Sequence, residues 1–330
     1  MNIMTDAFNR RITYLRVSIT DHCNLRCQYC MPAEGIEFMD NSSLLSYDEF
    51  LRIIRVAAKR GLKKVRITGG EPLVRRGVVE FVQEISKIEG IQDIALTTNG
   101  ILLKKMAEPL YKAGLRRLNV SMDSLKAEKF KEITRGDVLE RVWEGIHEAE
   151  RVGFSPIKIN CVLQETVNQD EIIDFVKLTL NKPYHVRFIE FMPCANLDMW
   201  QRTYKPAMDM QSKIIEEFNE LIPAQEESDI AGPAENFKLP GAQGVVGFIH
   251  AISGHFCDTC NRVRLSSDGK IRPCLFSNLE VDFREALRNG CTDEEISGLL
   301  DQVLGIKPEG HELDKYSAEK MLTDMITIGG

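Results

Sequence analysis

The chain has 330 residues, 43% hydrophobic and 28% charged, an ordinary balance for a globular protein with one large core and an appendage. A formal net charge of -7 argues against a protein that coats nucleic acid or an anionic membrane, because neutralising phosphates takes a surplus of Lys and Arg. Any anionic ligand must therefore meet a local basic cluster.

Residues 1–11 lack the apolar run of a secretory signal, and no stretch reaches the roughly 20 apolar residues of a membrane span. The expectation is a cytoplasmic protein with no membrane and no nucleic acid among its partners. Short β-type runs are expected at 14–20, 64–68, 93–97, 117–121, 157–163 and 185–190. Between them, apolar residues recur at helical spacing. Phe50, Ile53, Ile54, Ala57 and Ala58 follow a Ser46 cap and stop at Gly61, and similar patterns cover 78–88, 103–113, 139–152 and 171–180. Strand–helix alternation at about 30 residues per unit is the mark of parallel βαβ construction.

With no dinucleotide-type Gly-rich loop after the first run, an incomplete (β/α)6 parallel barrel is favoured over a Rossmann sheet. Its open side needs a cover. After about residue 205 the alternation fades into a helix near 209–221, a polar stretch at 224–232 and a Gly-rich approach to a second cysteine group. We therefore expect two units, a partial barrel over 1–205 and a smaller α+β domain over 206–330 that covers the open side. No internal repeat and no low-complexity tract is apparent.

The nine cysteines fall into two groups of three plus Cys161, Cys194 and Cys291, which read as buried or incidental thiols. The first group, Cys23, Cys27 and Cys30, is spaced C-x3-C-x2-C on the loop after the first strand, where a parallel barrel builds its catalytic mouth. Three thiolates can hold three irons of a 4Fe-4S cubane and leave the fourth iron open. A zinc site completed by His22 is the structural alternative. The second group, Cys257, Cys260 and Cys274, is spaced C-x2-C-x13-C and again offers three thiols, with a zinc ribbon completed by His255 as its alternative.

The other strand ends carry residue types that suit ligand contact. The second ends Arg66-Ile67-Thr68-Gly69-Gly70-Glu71, whose paired glycines admit a close backbone approach and whose carboxylate can accept from an ammonium group. Thr97 to Gly100, Ser121 to Asp123, Lys158 to Asn160 and Val186 to Met192 end the next four. Taken singly each fits a cap or turn as well as a ligand site, but they share one rim.

The first trio, with an aromatic before its last Cys, resembles the radical S-adenosylmethionine superfamily. That resemblance implies a 4Fe-4S cluster whose open iron is chelated by S-adenosylmethionine, one-electron cleavage to a 5′-deoxyadenosyl radical, and a backbone contact from Tyr29. Both trios, with Leu15-Arg16-Val17-Ser18, Arg66 to Pro72, Arg187 to Met192 and a terminal Gly329-Gly330, closely resemble the molybdenum cofactor biosynthesis protein A family, the GTP 3′,8-cyclases. The resemblance spans nearly the whole chain. His22 stands where that family usually has Arg or Lys, and 323–327 lacks the basic residues often found before the tail.

The family resemblance implies a lyase with two 4Fe-4S clusters, the second on Cys257, Cys260 and Cys274. It places Tyr29, Gly70, Ser121 and Met192 against S-adenosylmethionine. Against GTP it places Arg16, Arg66, Thr97, Lys158, Arg262 and Arg264, with Lys64 a weaker candidate, and it brings Gly329 and Gly330 into the active site. A triphosphate in a chain of net -7 needs such a concentration of Arg and Lys. The implied chemistry is hydrogen abstraction from C3′ of GTP and attack on C8 of the guanine, the purine anchored at the second cluster. Implied partners are cyclic pyranopterin monophosphate synthase downstream and an electron donor such as a flavodoxin or ferredoxin; a homodimer is allowed. A peptide-modifying radical enzyme with an auxiliary cluster, and a non-enzymatic iron-sulfur or zinc protein, are the competing readings.

Overall fold

The computed structural model describes residues 2–193, 197–224, 232–254 and 256–311. The first part alternates as β1 (Tyr14–Ser18), α1 (Tyr47–Lys59), β2 (Lys64–Thr68), α2 (Val78–Ser86), β3 (Asp93–Thr98), α3 (Leu103–Lys112) and β4 (Arg117–Ser121). Two helices, α4 (Ala127–Thr134) and α5 (Leu139–Val152), fill the longer gap before β5 (Ile157–Leu163), α6 (Ile172–Asn181) and β6 (His185–Glu190). There follow α7 (Leu197–Thr203), α8 (Met208–Phe218), β7 (Ile222–Pro223), β8 (Glu235–Lys238), β9 (Val245–Ile249), β10 (Arg262–Leu265), β11 (Lys270–Arg272), β12 (Val281–Asp282), α9 (Arg284–Arg288) and α10 (Asp293–Gly305).

All six expected strands are present, the first two residues shorter than its β-type run. α4 was not anticipated, since only Phe130, Ile133 and Thr134 are buried over its eight residues, too few for a visible repeat. α1 begins where Ser46 predicts: its hydroxyl accepts from the Glu49 amide while the Glu49 carboxylate accepts from the Ser46 amide.

β1 to β6 lie side by side in chain order, all parallel. The chain beyond residue 205 does more than cover a gap. β9 adds to β6 and β10 adds to β1, both parallel, so the curled part of the sheet has eight strands. The antiparallel strands β8 and β7 extend one flank, β11 and β12 the other.

Side chains alternate across this sheet, and the two faces differ sharply. One face carries Val17, Ile67, Leu96, Val120, Ile159 and Phe188, all fully buried under the helices. The register places Arg16, Arg66, Asn119, Lys158, Arg187 and Arg264 at the alternate positions. The apolar core therefore lies between sheet and helices, and the barrel interior is polar. No helix among the described residues is long and apolar enough to cross a membrane. Of the unassigned cysteines, Cys161 is buried in the core and Cys291 is half-buried against Arg52, whereas Cys194 lies outside the described residues.

Candidate active site: two thiol trios on one basic cavity

The first trio sits on the loop that leaves β1, and neighbouring backbone fixes that loop tightly. The Gly70 amide donates to Thr20 O at 2.7 Å and the Glu71 amide to His22 O at 2.8 Å. From the other side, the Arg26 and Gln28 amides donate to the carbonyls of Thr134 and Ile133, the last turn of α4. The glycine pair is required by this approach: a Cβ on Gly70 would lie 2.4 Å from His22 O, and Gly69 has φ +147° with Thr20 O equally close. Gly70→Ala is expected to push the loop off the strand end, lowering iron at the first trio and S-adenosylmethionine cleavage together. Iron analysis of the anaerobically reconstituted variant checks this; wild-type iron and cleavage would mean that the loop has slack.

The three thiols are half-buried. Burial pushes the Cys23 thiol up to about 12, and the Cys30 contact together with burial raises Cys27 well above the ordinary thiol range. Binding of a metal cation to such a sulfur displaces its proton to solvent, which is how metal uptake couples to deprotonation. Cys257 and Cys260 lie on the turn before β10, with the Cys260 amide on Cys257 O at 3.0 Å, and Cys274 follows β11. Burial alone would raise Cys260, yet Arg262 and then Lys307 outweigh it and bring that thiol down to about 7. Cys274 is raised by burial. Among the described residues no three His, Cys, Asp or Glu side chains converge tightly enough for a single metal ion. The two donor sets, with three thiols each, suit an iron-sulfur cluster with one open iron better than a closed tetrahedral zinc.

Both trios open on one cavity of about 280 Å³. Between them its wall carries Arg16, Arg66, Arg187, Arg262 and Arg264. Burial, then repulsion from Arg264, drives the Arg16 guanidinium well below its usual range, a sign of crowded positive charge. Thr97 Oγ1, Asn160 Oδ1 and Arg66 Nε are buried with no hydrogen-bond partner among the described residues, so this wall is built to receive polar atoms from a ligand.

Tyr29, Gly70, Ser121, Met192 and Thr97 also line the cavity. Two expected residues do not reach its wall. Lys158 is buried two positions before Asn160 on the same side of β5, deeper along the strand. Lys64 is committed to Asp93 at 2.9 Å, a buried pair that Arg117 joins at 3.2 Å at the start of the strands. Gly329, Gly330 and His255 lie outside the described residues.

Three residues carry more than the sequence reading gave them. Arg187 faces the cavity from β6. Asp123 accepts from the Tyr29 hydroxyl at 2.6 Å and the Val162 amide at 2.8 Å, and burial pushes it up to about 6. Glu190, buried at the end of β6, accepts from the amides of Ala207, Ile252 and Ser253 and so ties down the approach to Cys257. Glu71 corrects an expectation. Its carboxylate accepts from the Leu73 amide, the Thr98 hydroxyl and the Asn99 amide at 2.6–2.9 Å, so it joins two βα turns and is not positioned to take an ammonium group.

A parallel sheet curled round a cavity with a three-thiol loop at its mouth defines a radical S-adenosylmethionine type of α/β protein. Accordingly, residues 17–179 match the family described as the Radical SAM superfamily, and residues 184–313 match Molybdenum Cofactor Synthesis C. Streptococcus suis SuiB, solved bound to S-adenosylmethionine, shares the fold with a TM-score of 0.61 at 17% identity, over 89% of this chain and 69% of that one. Proteins described as GTP 3′,8-cyclase are close in sequence: that of Alkaliphilus oremlandii is 50% identical over 99% of this chain and 100% of its own. That of Geobacter sulfurreducens is 46% identical over 99% of both. The chain belongs to the GTP 3′,8-cyclase family.

Proposed function

We propose that this chain converts GTP to (8S)-3′,8-cyclo-7,8-dihydroguanosine 5′-triphosphate, the first step of molybdenum cofactor biosynthesis. The observation that carries the reading is the single cavity onto which both thiol trios and five arginines open. Cys23, Cys27 and Cys30 would hold the 4Fe-4S cluster that, with S-adenosylmethionine bound, supplies one-electron cleavage of the sulfonium. Tyr29, Gly70, Ser121 and Met192, on the same wall, would hold S-adenosylmethionine, and Asp123 keeps the Tyr29 ring in place through its hydroxyl.

Arg16, Arg66, Arg262 and Arg264 are the residues assigned to GTP, with Thr97 as a hydroxyl partner and Arg187 added by its position. Guanidinium forks match phosphate oxygens in pairs, and a walled cavity strengthens each such contact by excluding water. Lys158 and the Lys64–Asp93 pair set the charge at the floor. Cys257, Cys260 and Cys274 would hold a second 4Fe-4S cluster against the purine, which fixes C8 near C3′ and lets proximity do most of the work. A tail ending in Gly329 and Gly330 that enters the site is part of this reading. So are a division at residue 205, a cytoplasmic location, a flavodoxin or ferredoxin as donor, and cyclic pyranopterin monophosphate synthase as the next enzyme.

Anaerobically reconstituted protein given S-adenosylmethionine, a reductant and GTP is expected to release 5′-deoxyadenosine and consume GTP in parallel. Cleavage of S-adenosylmethionine with GTP untouched would favour a peptide-modifying enzyme. No cleavage at all would favour a carrier or adaptor.

A further inference from the structure

The segment after α10 runs beneath the second trio, where Lys307 is 3% exposed. Its ammonium donates to the Pro273 carbonyl at 2.7 Å, the Arg262 carbonyl at 3.0 Å and Cys260 Sγ at 3.6 Å. An ammonium has three donors, and these three acceptors use them all. One carbonyl lies two residues beyond Cys260 and the other belongs to the residue before Cys274, so a single side chain spans both segments that supply the trio.

This segment is itself held. Arg10 donates to the carbonyls of Pro308 at 2.5 Å, Glu309 at 2.6 Å and Cys257 at 2.8 Å, while Asp6 accepts from its Nε at 2.6 Å. α10, which leads into Lys307, is fastened to the end of α1 by Arg60, which donates to Asp301 at 2.5 Å and to Ser297 O at 2.8 Å. A buried ammonium is costly unless an anion offsets it. Two carbonyls and the Cys260 sulfur take up its three donors here.

The geometry points to Lys307 as a positioning residue for the second trio: it fixes the Cys260 and Cys274 segments against each other and sets a positive charge beside the Cys260 sulfur, favouring an anionic iron-sulfur group there. This rests on the second cluster proposed above. Charge and hydrogen bonds at ligand sulfurs set cluster potentials, and a nearby cation favours the more negative, reduced state. Lys307 therefore raises the second cluster's midpoint potential as well as retaining its iron.

The test uses the full chain with Cys23, Cys27 and Cys30 replaced by Ser, so that iron can reside only at the second trio, and follows iron content, the electron paramagnetic resonance signal and the midpoint potential. Lys307→Met should lower the potential and speed iron loss to a chelator. Lys307→Gln, which keeps amide donors without the charge, should lower the potential yet retain more iron, and Lys307→Arg should stay near the parent in both. Gln and Arg carry the comparison if the Met variant fails to fold. Parental potentials and iron retention in Met and Gln would overturn the role of Lys307. A parent that takes up no iron would instead overturn the second cluster, and this inference with it.

Discussion

Replacing Cys27 with Ser is expected to reduce S-adenosylmethionine cleavage to the background of cluster-free protein, while the second trio still takes up iron. Cys27 is the middle thiol of a loop with little freedom: its carbonyl receives the Cys30 and Met31 amides, and α4 and Gly70 clamp the loop from two sides. Three thiolates are the minimum for a cubane with one open iron, so losing one removes the chelation on which cleavage depends. Cys260→Ser should behave differently. It lies on the turn before β10, the parallel neighbour of β1, at the strand end opposite the first trio, and its replacement should spare part of the cleavage while stopping GTP cyclisation. The two variants together separate a site that generates the radical from one that positions the substrate. Zinc at full occupancy in protein purified without oxygen would contradict both expectations.

The second large effect belongs to Arg262 and Arg264. They sit two apart on β10, in register with Tyr14 and Arg16, and both face the cavity. Arg262 is further held over the Phe256 ring at 4.7 Å, which aims its fork and limits the entropy lost on binding. Losing a charged hydrogen bond to phosphate costs about 1.5–3 kcal/mol, roughly ten- to a hundredfold in affinity. Ala at both positions is therefore expected to weaken GTP binding by at least that factor. Since Arg262 lies close to Cys260, iron content must be measured alongside. Unchanged GTP affinity with normal iron would return the pair to a solvated charge pair.

The fold was largely legible because the helix-facing side of the strands is apolar at every second position, as in Val65, Ile67, Leu96, Leu118 and Val120. What could not be read was which later strands would join the sheet edges. Parallel addition of β9 to β6 and of β10 to β1 depends on contacts across 60 and 248 residues of chain rather than on local pattern. α4 was missed for its brevity, yet it clamps the cysteine loop.

In the site, the trios and Gly69-Gly70 were legible by spacing, and the arginines by type. The fates of Glu71 and Lys64 were not: a carboxylate that could bind an ammonium is taken up by a turn, and a lysine that could bind phosphate is taken up by Asp93. Arg187 carried a readable signal. A barrel interior is normally filled by branched apolar residues, so charged residues at alternate positions of several strands mark a wall that faces a ligand.

The most direct test supplies GTP deuterated at C3′ to the reconstituted enzyme with S-adenosylmethionine and follows both products by mass spectrometry. The cyclised triphosphate has the composition of GTP, since the hydrogen lost from C3′ is replaced by a solvent proton and an electron from the reductant. The account predicts one deuterium in 5′-deoxyadenosine and none in the cyclised product. 5′-Deoxyadenosine formed without deuterium while labelled GTP is recovered intact would contradict it.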